Sequence, residues 1–161
     1  NDPFLAVLKA TIEKGGRMCL TLIIQVFLEG WGLLHYKKLQ KDCLNPELAE
    51  ELRQIIQDEA HHHGSGVALL DLSDMSAVEY DLGLSTLKSL LTMVADGPWS
   101  LASILRKHLA PASCPTVFYP ALRHEQETTL KLQQLKRILQ VGGAQSFVDV
   151  LEQEKFFNLS K

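Results

Sequence analysis

A run of apolar residues from Met18 to Leu34, interrupted by Gln25 and Glu29, constrains this chain more than any other feature. The run is short for a bilayer span, which takes ~20 residues. It must therefore find its apolar surroundings inside a fold, as a core helix. Glu29 is the only acidic residue between Glu13 and Asp42. A carboxylate in that setting costs several kcal/mol, or takes up a proton, unless something compensates it.

No segment shows the strict alternation of a half-buried strand, and the chain reads as helix almost throughout. Asp2 and Pro3 suit the cap and first turn of a helix from Phe4 onward. Gly15-Gly16 separates it from a longer helix that runs from Arg17 to Gln40. Asn45 and Pro46 open a third helix, with Glu47, Glu50 and Glu51 near its positive end. That helix runs to His63, where Gly64-Ser65-Gly66 weakens it, and Val67 to Leu72 continue it after a kink. Ser76-Ala-Val-Glu79 is a capping box for a helix ending at Asp96-Gly97-Pro98. A short helix from Ser100 to Leu109, a Pro-rich loop from Ala110 to Pro120 and a helix from Ala121 to Gln140 follow. The last helix, Ala144 to Phe157, buries Phe147, Val150, Leu151 and Phe157. With 161 residues and no linker or repeat, the pattern predicts a single all-α domain, a bundle of five to seven helices.

A net charge of −3 with no basic block argues against a nucleic-acid partner, and the apolar run argues against a membrane span. Cys19, Cys43 and Cys114 lack any CxxC spacing, so neither a disulfide framework nor a thiolate metal site is expected. A reducing compartment, the cytoplasm, follows. The chain opens on Asn1-Asp2-Pro3 without a methionine or a signal-peptide pattern, which fits processing, trimming or a longer parent chain. Gly64-Ser65-Gly66 is too short for a nucleophile elbow and follows a helix rather than a strand. No phosphate loop or dinucleotide fingerprint occurs.

The acidic interruption acquires a meaning thirty residues later. Glu59 and His62 form an E-x-x-H step within Asp58-Glu-Ala-His-His-His63, and the turn signal Cys43-Leu44-Asn45-Pro46 lies midway between the two glutamates. About 15 residues on each arm, at ~1.5 Å per residue, bring them to the same level of a helical hairpin. By helical spacing Glu29 shares a face with Leu22, Gln25, Val26, Gly32, Leu33 and Tyr36, and Glu59 with Ile55, Ile56, His62, His63 and Gly66. Both carboxylates then point into a dry hairpin core, where a divalent cation removes the cost of burial. Carboxylate oxygens with an imidazole nitrogen favour iron, manganese or zinc.

This hairpin resembles half of the site in the ferritin-like di-iron carboxylate family, which uses one Glu from each of two helices and a Glu-x-x-His from each of the other two. The matching residues are Glu29 on the first arm and Glu59-Ala-His-His62 on the second, and the resemblance covers Arg17 to Leu70. It implies a ferritin-like helical bundle with additional C-terminal helices, the metal-binding hairpin spanning 17–70 and the additional helices 76–161. It further implies a di-iron or di-manganese centre that reacts with dioxygen, peroxide or a small organic substrate, as an oxidoreductase or an iron-handling protein. Glu29 and Glu59 would chelate or bridge the ions, and His62 would be the terminal nitrogen ligand. The chain departs from the family in lacking a second Glu and a second E-x-x-H.

Three completions satisfy the pattern. A second copy brings its own hairpin across a two-fold axis, as the encapsulated ferritins do, making a homodimer or higher oligomer. An upstream hairpin lies outside this chain. Or His124 and Glu127, a reversed H-x-x-E, complete an irregular site. His63 is a further ligand candidate or a neighbour of one, His61 faces away, Gln25 is placed to hydrogen-bond a ligand, and Tyr36 is the aromatic candidate for a redox role. Trp31, between Gly30 and Gly32, reads as a helix-packing contact. The competing reading is a metal-free helical interaction module, with Glu29 paired to Arg17, a lysine or His35.

Overall fold

Asp2 begins the first helix by accepting a hydrogen bond from the Phe4 N–H at 2.9 Å, with Pro3 in the first turn. The computed structural model describes residues 2–108 and 124–158, except for the side chains of 98–108 and 124–125. Six helices make up the described residues, and no strand occurs among them. They are α1 (Pro3–Lys14), α2 (Arg17–Asp42), α3 (Pro46–Leu69), α4 (Ala77–His108), α5 (His124–Val141) and α6 (Gln145–Gln153).

The caps read from sequence are made. Asn45 Oδ1 accepts from the N–H groups of Glu47 and Leu48 at 2.9 and 3.1 Å and starts α3. Ser76 and Glu79 exchange both capping-box bonds at the start of α4.

Three expectations change. Gly64-Ser65-Gly66 does not weaken α3, which runs unbroken to Leu69; buried Gly66 lies directly against Gln25 of α2. Asp96-Gly97-Pro98 does not end α4, so no separate helix begins at Ser100. Proline removes one intrahelical bond there, yet Leu101, Ile104 and Leu105 prolong the helical spacing. Leu109 and the Pro-rich loop lie outside the described residues. The last helix is shorter than its apolar pattern, ending at Gln153, although Phe157 is still buried beyond it.

The largest surprise is within α2. It begins as an α-helix, winds as a π-helix over Thr21–Leu28, and returns to α geometry over Glu29–Asp42. Before Glu29 its buried hydrophobic residues pair as Met18-Cys19, Leu22-Ile23 and Val26-Phe27, a spacing of four rather than 3.6. Wider winding keeps all three pairs on one side.

That side is the centre of the core. Leu22, Ile23 and Phe27 of α2 pack with Leu87 and Leu91 of α4, Leu132, Leu135 and Leu139 of α5, and Phe147 and Leu151 of α6. α1 is tied on by a buried hydroxyl pair, Thr11 with Thr86 at 2.9 Å. α3 contributes no side chain to this cluster. It lies along α2 as an outer layer and makes no comparable contact with α4, α5 or α6. By length and composition α2 is apolar enough to cross a membrane, and half of its apolar window is buried within the fold.

Candidate metal centre

The α2–α3 hairpin sets Glu29 opposite Glu59 and His62. One oxygen or nitrogen from each of the three lies within 4.8 Å of the other two. His62 Nδ1 stands 3.8 Å from Glu29 Oε1. Glu29 Oε2 is buried and has no hydrogen-bond partner. A buried acceptor without a donor is costly, and a second carboxylate, that of Glu59, belongs to the same cluster.

The surroundings are less dry than the spacing suggested. The Glu29 side chain is 19 % exposed, but that of His62 is 64 % exposed, so the cluster opens to solvent at the imidazole. The π-helix holds Leu22 and Val26 in the core, while Glu29, Gly32 and Tyr36 are half-buried.

Burial raises the Glu29 carboxyl above the ordinary glutamate range; His62 opposes that rise, Glu59 adds to it and His63 opposes it. Two carboxylates and little compensation make a proton or a cation welcome.

Small residues let the arms approach. A β-carbon on Gly32 would sit 4.0 Å from Glu59 Oε2 and 3.6 Å from the Tyr36 ring, so both side chains lie over this glycine. One on Gly30 would sit 2.8 Å from Ile138 of α5 and 2.9 Å from the His63 ring. His63 itself points into the hairpin, with Nδ1 3.1 Å from the Gln25 carbonyl oxygen. Gln25 rests against Gly66. Spacing had nominated His63 and Gln25 as neighbours, but nothing had suggested that they bond to one another. The period-four ladder of buried pairs was the available signal for the π-helix that makes this contact.

The remaining candidates lie elsewhere. Glu127 is exposed, eleven residues before Ile138 on α5, which is ~16 Å along the helix from the residue touching Gly30. It is not in the Glu29 cluster. The His124 side chain lies outside the described residues, as does Cys114. His61 is exposed. Arg17 pairs with Asp74 at 3.8 Å rather than with Glu29, and Trp31 packs partly buried against the core. Burial pushes the Cys19 thiol up to about 11, with Glu79 adding to the rise, which removes it as a thiolate donor at neutral pH. No known protein family, curated protein or solved structure matches the chain.

Proposed function

We propose that the α2–α3 hairpin is a transition-metal centre of the ferritin-like kind, with Glu29, Glu59 and His62 as its protein ligands. The observation that carries the reading is the convergence of two carboxylates and an imidazole within 4.8 Å on two helices, around a buried Glu29 oxygen that lacks any donor. A cation supplies what that oxygen is missing. Oxygen and imidazole donors together suit iron, with manganese and zinc as alternatives, better than magnesium or calcium.

When bound, iron or manganese would supply redox chemistry toward dioxygen, peroxide or a small organic substrate. The chain's own residues hold the ion and leave its solvent side free. Glu29 is anchored where the core gives way to the hairpin, and exposed His62 stands at the mouth. Tyr36, which like Glu59 lies close to Gly32, is the aromatic ring we assign to electron exchange with such a centre.

Three side chains are few for two ions, and a second copy of the chain is the completion that the exposed surface favours. Leu48, Ile55 and His62 recur every seven residues along α3 and are all exposed. A second hairpin laid on that stripe would cover the leucine and isoleucine and bring its own Glu29, Glu59 and His62.

Metal analysis of protein purified without chelator tests the reading, with Glu59→Ala as the control. Near-stoichiometric iron or manganese that disappears in Glu59→Ala supports it. Traces of metal in the unaltered protein, with a melting point indifferent to Fe(II), leave the metal-free helical module. Sedimentation with and without metal addresses the partner: a strict monomer carrying two ions excludes the shared site.

A further inference from the structure

We infer that His63 is a positioning residue of this centre. Its bond to the Gln25 carbonyl pins the point at which α2 returns from π to α winding, and so sets where Glu29 stands relative to Glu59 and His62. The inference rests on the metal reading above.

The first support is backbone accounting. The π bonding of α2 ends with the Glu29 N–H on the Ile24 carbonyl. From Glu29 onward the helix is α. A change from i→i−5 to i→i−4 bonding skips one carbonyl, and the next in line after Ile24 is that of Gln25. A partly buried carbonyl left over in this way needs a donor from outside its own helix. His63 Nδ1, at 3.1 Å, is that donor. Because a carbonyl only accepts, the proton of this bond sits on Nδ1.

The second support is steric. His63 reaches the carbonyl across Gly30, where any β-carbon would sit 2.9 Å from Cε1 and 3.1 Å from Nδ1. Ile138 of α5 presses on the same glycine. The residue that follows Glu29 is thus held between α3 on one side and the core on the other. His63 also directly follows His62 and lies four residues after Glu59, so a single bond joins the two halves of the cluster at their own level.

A π-to-α junction is able to migrate along a helix, because moving it by one residue only exchanges which carbonyl is skipped. Each such step turns the following residue about the axis, because five-residue bonding winds less per residue than the ~100° of an α-helix. Glu29 would then change its bearing on Glu59 and His62. The His63 bond selects one junction, and with it one orientation of Glu29.

The test uses the whole chain and Co(II) alone, reading the dissociation constant and the visible d–d spectrum of His63→Leu and His63→Asn. The leucine removes the donor and keeps the bulk. The asparagine amide nitrogen replaces Nδ1. Loss of about tenfold or more in Co(II) affinity with an altered spectrum in His63→Leu, and recovery to within about threefold in His63→Asn, is the expected result. Unaltered Co(II) binding in His63→Leu, when Glu59→Ala has lost it, overturns the role of His63 and leaves the metal reading standing. No Co(II) binding by the unaltered protein overturns both. Should His63→Leu fail to fold, nitrogen NMR of the unaltered, metal-free protein decides: a neutral His63 protonated on Nε2 instead of Nδ1 overturns the inference.

Discussion

Gly66 of α3 lies against Gln25 of α2 so closely that a β-carbon on the glycine would collide with the Gln25 side chain. Gly64, two residues earlier, has nothing within 4 Å of the same position. The two glycines look alike in sequence and do opposite things. Gly66→Ala should destabilise the fold by about 1–3 kcal/mol, the usual cost of overpacking, and should loosen the hairpin at the level of His63. Gly64→Ala should stabilise it by about 0.5–1 kcal/mol, because alanine restricts the unfolded chain and favours helix. Thermal or denaturant unfolding of both variants checks the pair, and equal effects would refute the close approach.

Glu29 trades stability for its place in the cluster. Replacing it by methionine, similar in length and a good helix former, removes the buried oxygen that has no donor. Glu29→Met should raise the stability of the metal-free protein by about 1 kcal/mol, roughly 2–4 °C in Tm for a chain of this size, while abolishing metal uptake. A lower melting point in Glu29→Met would mean that the carboxylate is already well satisfied without an ion.

The same residue predicts a pH dependence with an unusual sign. Burial raises its folded-state carboxyl above the unfolded value, so the folded protein holds the proton to higher pH. The metal-free fold should therefore gain stability as pH falls through the raised folded value. The gain should be complete near the unfolded glutamate value of ~4.3. Melting curves of the unaltered protein and Glu29→Met against pH, in the presence of chelator, should differ in this slope.

Glu79 has the opposite sign. The Ser76 backbone and hydroxyl bonds, with smaller help from the Cys19 and Met18 N–H groups, hold its carboxyl below the usual range. Its contribution is fully present above ~4.3 and is lost as pH falls through the lower folded value. Glu79→Gln should flatten that acid limb. Gly16→Ala should displace the same carboxylate, because a β-carbon there would strike it, and should shift the limb in the same direction.

The Thr11–Thr86 pair predicts an asymmetry. Thr11 donates to the Val7 carbonyl at 2.9 Å and accepts from Thr86. Thr86→Val leaves Thr11 bonded and should cost about 0.5–1.5 kcal/mol, whereas Thr11→Val strands a buried hydroxyl on Thr86 and should cost about 1–3 kcal/mol. Adding Thr86→Val to Thr11→Val should recover part of the loss, which a double-mutant cycle measures.

Much of this arrangement was legible in the chain because it is local. Asp2, Asn45 and the Ser76–Glu79 box bond to backbone groups two or three residues away, so their effect travels with the sequence. The hairpin follows from the same kind of reasoning: a proline turn midway between Glu29 and Glu59 brings them level whatever surrounds them. The side chains of His124 and of the Pro-rich loop lie outside the described residues, and Glu127 is far from the cluster.

Amino-acid order alone settled that the chain is helical, where most helices begin, and which acids and imidazole meet across the turn. Tertiary packing decided the rest. Whether α2 winds with four- or five-residue bonding is a small difference in backbone energy, and the core tips it by requiring Leu22-Ile23 and Val26-Phe27 on one side. That choice sets Glu29 outside the core and leaves the Gln25 carbonyl for His63. Likewise Gly66 interrupts a helix only if nothing outside it compensates, and what lies outside a helix is not written in its own residues.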